Sequence, residues 1–274
     1  GINSSLDSVT IYPEEFLDTR INQVYYDCPG FNDNRNSTME IAGTYFIKKV
    51  TDYAKSLKLL FVIGYPSVTV AVDRLDFLRL LRHSTTFIKN IDKFQESIAI
   101  AISKVDKERD VEHDDRVLTD GEIIESIAGF LQDSKAELTN KISTAADEKE
   151  KQFLEDSIKF LDVLLLKNSD SGENVYPRIG IFRKPDKAGP LDKIEILQPG
   201  KKRMEEILQT LQYTPKVEED FGYTISDKAK NYINGVVNVI NDNVWSDVEV
   251  LAHVMVGFYR NLTDQTYQKI KSLS

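Results

Sequence analysis

Hydrophobic and polar positions change period along the chain, and each change predicts an element. Ser8 to Pro13 is β-branched and aromatic and reads as a strand, with Pro13 restricting it to an edge or an end. An apolar run from Ile21 to Tyr26 predicts a second, buried strand that ends at Asp27, where Pro29 and Gly30 force a turn. From Met39 to Ala54 the residues Ile41, Ala42, Tyr45, Phe46, Val50 and Ala54 recur at helical spacing. Lys58 to Gly64 is a continuous apolar run, the pattern of a central strand covered on both faces. Val70 to Leu81 predicts a helix with Arg74, Arg79 and Arg82 on or just beyond its solvated side and His83 as a polar end residue. Ser97 to Asp106 is a further buried strand.

Beyond it, Lys107 to Asp115 reads as a charged loop, and Thr119 to Glu122 has the form of a capped helix start. Helices follow over about Glu122–Lys141 and Ala145–Leu166, then a last strand over Arg178–Pro185. An irregular connection leads into a helix from Lys201 to about Leu211, whose Lys201-Lys202-Arg203 cluster is assigned to solvation. Ser226–Asn241 and Asp247–Leu273 predict two long helices. Ile233, Val236, Val237, Val254, Met255, Phe258 and Tyr259 supply their apolar stripes, with Trp245 at the turn between them.

Strands alternating with helices place the chain in the α/β class with a mostly parallel sheet. The boundaries are an α/β domain over residues 1–212, a helical insertion at about 107–170 and a helical extension over 213–274. With 274 residues, 41% hydrophobic and 29% charged, the chain can bury a large core. A net charge of -9 argues against a broad nucleic-acid surface, which needs a basic field. Cys28 is the single cysteine, so no internal disulfide forms, and no apolar run is long enough to span a bilayer. The expected location is cytoplasmic.

Two stretches carry chemistry. Asp27-Cys28-Pro29-Gly30 sets a carboxylate at a strand end, followed by a turn whose glycine amide can approach an anion. Ser103-Lys104-Val105-Asp106 follows a buried strand, 79 residues after Asp27. A carboxylate two residues beyond a lysine can accept both N1–H and N2–H₂ of guanine, a pattern that adenine does not offer. Together these stretches resemble the DxPG and N/T-K-x-D motifs of P-loop GTPases, loosely those of the septin and dynamin-like groups, over about Thr10 to Phe182. Ser103 departs from the Asn or Thr of that motif.

The resemblance implies a GTPase-like sheet that binds GTP or GDP with Mg²⁺ and hydrolyses GTP by in-line attack of water. Asp27 would reach Mg²⁺ through water and Gly30 would hold the γ-phosphate. Thr10 would ligate Mg²⁺, although a threonine chosen for strand propensity explains that position equally well. Ser103, Lys104 and Asp106 would read guanine, and the loop after the last strand, near Phe182 and Arg183, would offer a backbone amide to the base. Residues 32–37 would form the second switch loop. No residue is assigned to position the attacking water; Asn32 and Arg35 are only nearby.

The phosphate loop G-x-x-x-x-G-K-[ST] does not occur in the sequence; Gln198-Pro199-Gly200-Lys201-Lys202 contains Gly-Lys but lacks the rest. In the family order that loop, with the first strand, precedes the Thr10 region. Two readings stay open: a GTP-hydrolysing domain that begins inside its own fold, or a nucleotide-free GTPase-like scaffold. In either, the helices would serve a protein partner or self-association.

Overall fold

The computed structural model describes residues 10, 12–19, 21–31, 37–69, 74–110, 116–168, 175–243 and 246–272. In chain order the elements are β1 (Glu14–Asp18), β2 (Gln23–Asp27), α1 (Ser37–Tyr53), β3 (Ser56–Leu57), β4 (Leu59–Gly64), α2 (Leu75–Phe87), α3 (Ile91–Phe94) and β5 (Ile98–Val105). Then come β6 (Arg109–Asp110), β7 (Arg116–Val117), α4 (Asp120–Lys141), α5 (Glu148–Leu164), β8 (Ile179–Arg183), α6 (Gln198–Thr210), β9 (Thr214–Pro215), α7 (Asp227–Asn243) and α8 (Ser246–Lys271). The fold is mixed α/β, organised on a three-stranded parallel sheet in the order β4-β5-β8.

β5 is the centre of that sheet, and its sequence shows why. Ile98, Ile100 and Ile102 alternate with Ala99 and Ala101, and all five are buried. The isoleucines join the main core with residues of α2, α4 and α5, where Phe61 meets Phe160 edge to face at 5.1 Å and Phe77 meets Phe130 in the same way. Each fully buried Phe or Ile contributes about 1.5–3 kcal/mol of transfer free energy. Ala99 faces Ile207 and Leu211 at the α6 side, where small residues let that helix come close. A Cβ built on Gly200 of α6 would lie 2.6 Å from the Ile181 carbonyl oxygen, so only glycine permits this approach. The Gln198–Lys202 stretch is therefore the docking end of a helix. Arg203 extends that seam by donating to the carbonyls of Ile179 at 2.9 Å and Tyr176 at 2.6 Å, a packing role that solvation alone did not foresee.

α4 begins as its sequence predicts, with Thr119 and Glu122 closing a reciprocal capping box. Several expectations are corrected. The first strand starts at Glu14, just after Pro13, because proline has no N–H to give the ladder; Ser8, Val9 and Ile11 lie outside the described residues. β2 is not buried in the parallel sheet: it pairs antiparallel with β1, Glu14 opposite Asp27, and leaves Val24 and Tyr26 exposed. β4 is an edge strand, pairing among the described residues only with β5, and its Val62 is 61% exposed. α2 (Leu75–Phe87) runs past Leu81, which puts His83 inside the helix and buries it; Val70 to Asp73 lie outside the described residues. The insertion holds the short β6–β7 ladder as well as two helices. Val254, Met255, Val256 and Phe258 of α8 are exposed rather than packed, and Trp245 lies outside the described residues. Among the described residues no helix is long and apolar enough to cross a membrane.

Candidate functional site

The Ser-Lys-x-Asp stretch closes the carboxyl end of the central strand. There β5 gains one residue on β8, since the register passes from Ile102 opposite Ile181 to Val105 opposite Arg183. The extra residue is a bulge, and Lys104 within it takes φ 60°, the left-handed region that a side chain with a Cβ rarely occupies. Holding a lysine there costs about 1 kcal/mol or more, and such outliers concentrate at binding sites. Lys104 is exposed, whereas half-buried Ser103 donates its hydroxyl to the Ile63 carbonyl at 3.2 Å and ties the strand ends together. Gly64, opposite Ser103, leads β4 into the same margin.

Asp106 is exposed, and Lys184 salt-bridges it from the loop after β8. The Lys184 N–H donates to the Val105 carbonyl at 2.8 Å, and a second ion pair joins Lys107 to Asp186 at 3.0 Å. That loop is thus stitched to the end of β5, and the Lys184 amide is already used within the sheet. Arg183 does not face the margin freely: it is buried, donating Nε to Asp120 at 2.7 Å and Nη2 to the Leu118 carbonyl at 2.8 Å. Phe182 is half-buried. Tyr65, just after Gly64, is buried with its hydroxyl toward Glu108, and burial first, then that carboxylate, drives its pKa well up.

Asp27 ends β2 in the separate antiparallel pair and is exposed. Its turn is held by packing. Pro29 is buried against α1, where a Cβ on Gly43 would lie 3.3 Å from the Pro29 Cβ. Cys28 and Phe31 pack on the same main core as the parallel sheet. Burial, and then the Asp27 charge, push the Cys28 thiol up to about 11. A Cβ on Gly30 would meet nothing within 4 Å, so no neighbouring atom demands a glycine at this position. Thr10 is half-buried and precedes the first strand. Asn32 and Arg35 lie outside the described residues.

Ser103, Lys104 and Asp106 are therefore brought together at one sheet end. Asp27 and Gly30 share a turn that rests on the same core from a different sheet. Among the described residues no group of three or more His, Cys, Asp or Glu side chains gathers as a metal site. One open groove of about 710 Å³, lined by Lys135, Thr139, Asp162 and Leu166 among others, lies between α4 and α5 and holds none of these residues. Sequence reasoning missed Lys184 and a buried polar cluster around His83, because both depend on contacts across more than 70 residues. No protein-family model, curated protein or solved structure matches the chain.

Proposed function

We propose that this chain is the guanine-nucleotide-binding part of a GTPase of the P-loop type. The observation that carries the reading is the bulge at the end of β5, which holds Lys104 in a left-handed conformation beside Ser103 and Asp106. Strain of that kind is retained where a backbone must present side chains to a ligand. The element order supports it: a hairpin ending in Asp-Cys-Pro-Gly, then the parallel strands β4, β5 and β8 alternating with helices, α2, α4 and α5 packed on the isoleucine face of β5 and α6 on its alanine face. The exposed Asp27 carboxylate and the exposed Gly30 after it fit a magnesium-bound triphosphate. Asp27 and Thr10 are the residues that would hold Mg²⁺, which when bound supplies charge neutralisation at the phosphates. Asp106 would accept N1–H and N2–H₂ of the base. The exposed apolar residues of α8, Val254, Met255, Val256 and Phe258, support a protein partner or self-association at the helical extension.

A calorimetric titration with GTP·Mg²⁺ and ATP·Mg²⁺, on wild type and on Asp106→Ala, tests this reading. Guanine selectivity on the order of 100-fold that disappears in the variant is the expected outcome. Equal binding of the two nucleotides by both proteins would overturn it. The second reading, a nucleotide-free scaffold, is favoured by β4, whose outer edge is unpaired among the described residues, and by the Lys184 ion pair across Asp106. It predicts no GTP turnover.

A further inference from the structure

A buried polar cluster joins three segments far apart in sequence. Its centre is His83 of α2, which stacks on Phe31 with ring centroids 5.2 Å apart and planes 3° from parallel. Phe31 directly follows Gly30. On its other side the His83 Nδ1 shares a hydrogen bond with the Thr224 hydroxyl, 141 residues away. The Thr44 hydroxyl of α1 donates to the Thr224 carbonyl at 2.6 Å. Two residues on, Ser226 donates its hydroxyl to Glu40 at 2.8 Å and its N–H to the other carboxylate oxygen. The same Ser226 oxygen accepts the Ala229 N–H at 3.1 Å and so caps the start of α7. Glu40, Thr44, His83 and Thr224 are all at most 7% exposed.

An aromatic row runs beside the cluster. Phe31 meets Phe87, and Phe87 meets Phe221 at 4.9 Å. The Gly222 N–H donates to the Phe87 carbonyl at 2.8 Å, and a Cβ on Gly222 would lie 2.8 Å from the Thr86 carbonyl oxygen. The strap over residues 221–226 therefore has no slack against α2 before it enters α7.

We infer that Phe31, His83, Thr224 and Glu40 form a mechanical coupling between the turn after Asp27 and the entry to the two carboxyl-terminal helices. Buried hydrogen bonds of this kind are costly to leave half-made, so a displacement of Phe31 is answered at Thr224 rather than absorbed between them. Whatever orders the Asp27–Phe31 turn thereby sets the position of α7. That the ordering ligand is a guanine nucleotide rests on the function proposed above; the coupling itself does not.

Amide hydrogen exchange on the whole chain tests it, with Phe31→Leu, Thr224→Val and the double variant. Both single variants should speed exchange over residues 222–237 on the order of tenfold, leaving Ile98 to Ile102 protected, and the double variant should add little more. A response to Thr224→Val but not to Phe31→Leu would overturn the coupling, as would full additivity or a uniform rise that includes β5. A second arm adds GTP·Mg²⁺. Binding that slows exchange over 222–237 in wild type but not in Thr224→Val supports the nucleotide as the ordering ligand. Absence of binding, with the first arm positive, removes the nucleotide reading and leaves the coupling standing.

Discussion

Lys184 Nζ lies 2.7 Å from one carboxylate oxygen of Asp106 and 2.8 Å from the other. Both oxygens that would accept from guanine are thus already engaged by an ammonium. The pair is well exposed, and exposed ion pairs contribute less than about 1 kcal/mol. On the proposed guanine site, Lys184→Met should therefore tighten nucleotide binding by about threefold, most visibly at low salt where the competing pair is strongest. Titration of a fluorescent GTP analogue at two salt concentrations checks this; an identical Kd in variant and wild type would show that Lys184 does not compete.

Lys104 offers a way to separate binding from stability. Lys104→Gly relieves the left-handed strain and should gain up to about 1 kcal/mol, offset in part by the larger backbone entropy of glycine when unfolded. Lys104→Ala keeps the Cβ and should gain nothing. On the proposed function both should weaken nucleotide binding alike. Thermal melts beside binding curves provide the comparison, and a stabilised alanine variant would contradict the strain argument.

Two glycines make a matched pair for urea denaturation. Gly200→Ala forces a methyl to within 2.6 Å of the Ile181 carbonyl oxygen, so α6 must move off β8. A loss of about 2 kcal/mol follows. Gly129 lies inside α4 with nothing within 4 Å of its missing Cβ, and Gly129→Ala should gain about 0.5–1 kcal/mol from helix propensity alone.

The Cys28 thiol, raised to about 11, should stay protonated near neutral pH. Alkylation by iodoacetamide at pH 7.5 should be on the order of 100-fold slower than in the urea-unfolded chain, where the thiol returns to its ordinary range. A native rate matching the unfolded one would mean that the turn after Asp27 is not packed on the core.

His83 gives the acid limb of stability. Burial holds its pKa below the ordinary value; Glu40 opposes that shift, while Arg82, Arg79 and Lys230 add to it. The folded pKa is depressed, so the unfolded chain takes up a proton that the folded one refuses. Its contribution is therefore fully present above about pH 6.5 and is lost as pH falls below it. His83→Gln should flatten that part of the stability–pH curve, as measured by urea titrations at pH 7.5 and 5.5.

Much of the frame was legible from the sequence. The isoleucine-alanine alternation of β5, the helical spacing of α1 and the capping box before α4 act through neighbours within a few residues, and each element stands within a few positions of its expected place. Residues whose meaning lies across the fold were not legible. His83 reads as a helix end because the pattern after Leu81 turns polar, yet the helix continues to Phe87 and buries the ring against Phe31 and Thr224. Arg203 reads as part of a solvated cluster, but its guanidinium reaches carbonyls of the sheet margin. Lys58 to Gly64 reads as a central strand because a continuous apolar run looks the same at the centre and the edge of a sheet.

By itself the sequence determined the main helices and the strands of the parallel sheet, since local periodicity and capping are short-range, and it singled out Asp27 and the Ser103–Asp106 stretch as candidates for chemistry. Only the tertiary structure decided that β2 belongs to a separate hairpin, that Lys184 covers Asp106 and that the strap entering α7 is tied to His83 and Glu40. Those outcomes depend on which partners meet, from the hairpin pairing of Glu14 with Asp27 to the contact of His83 with Thr224, 141 positions apart. A linear pattern specifies which residues seek partners, but it does not specify which partner is found.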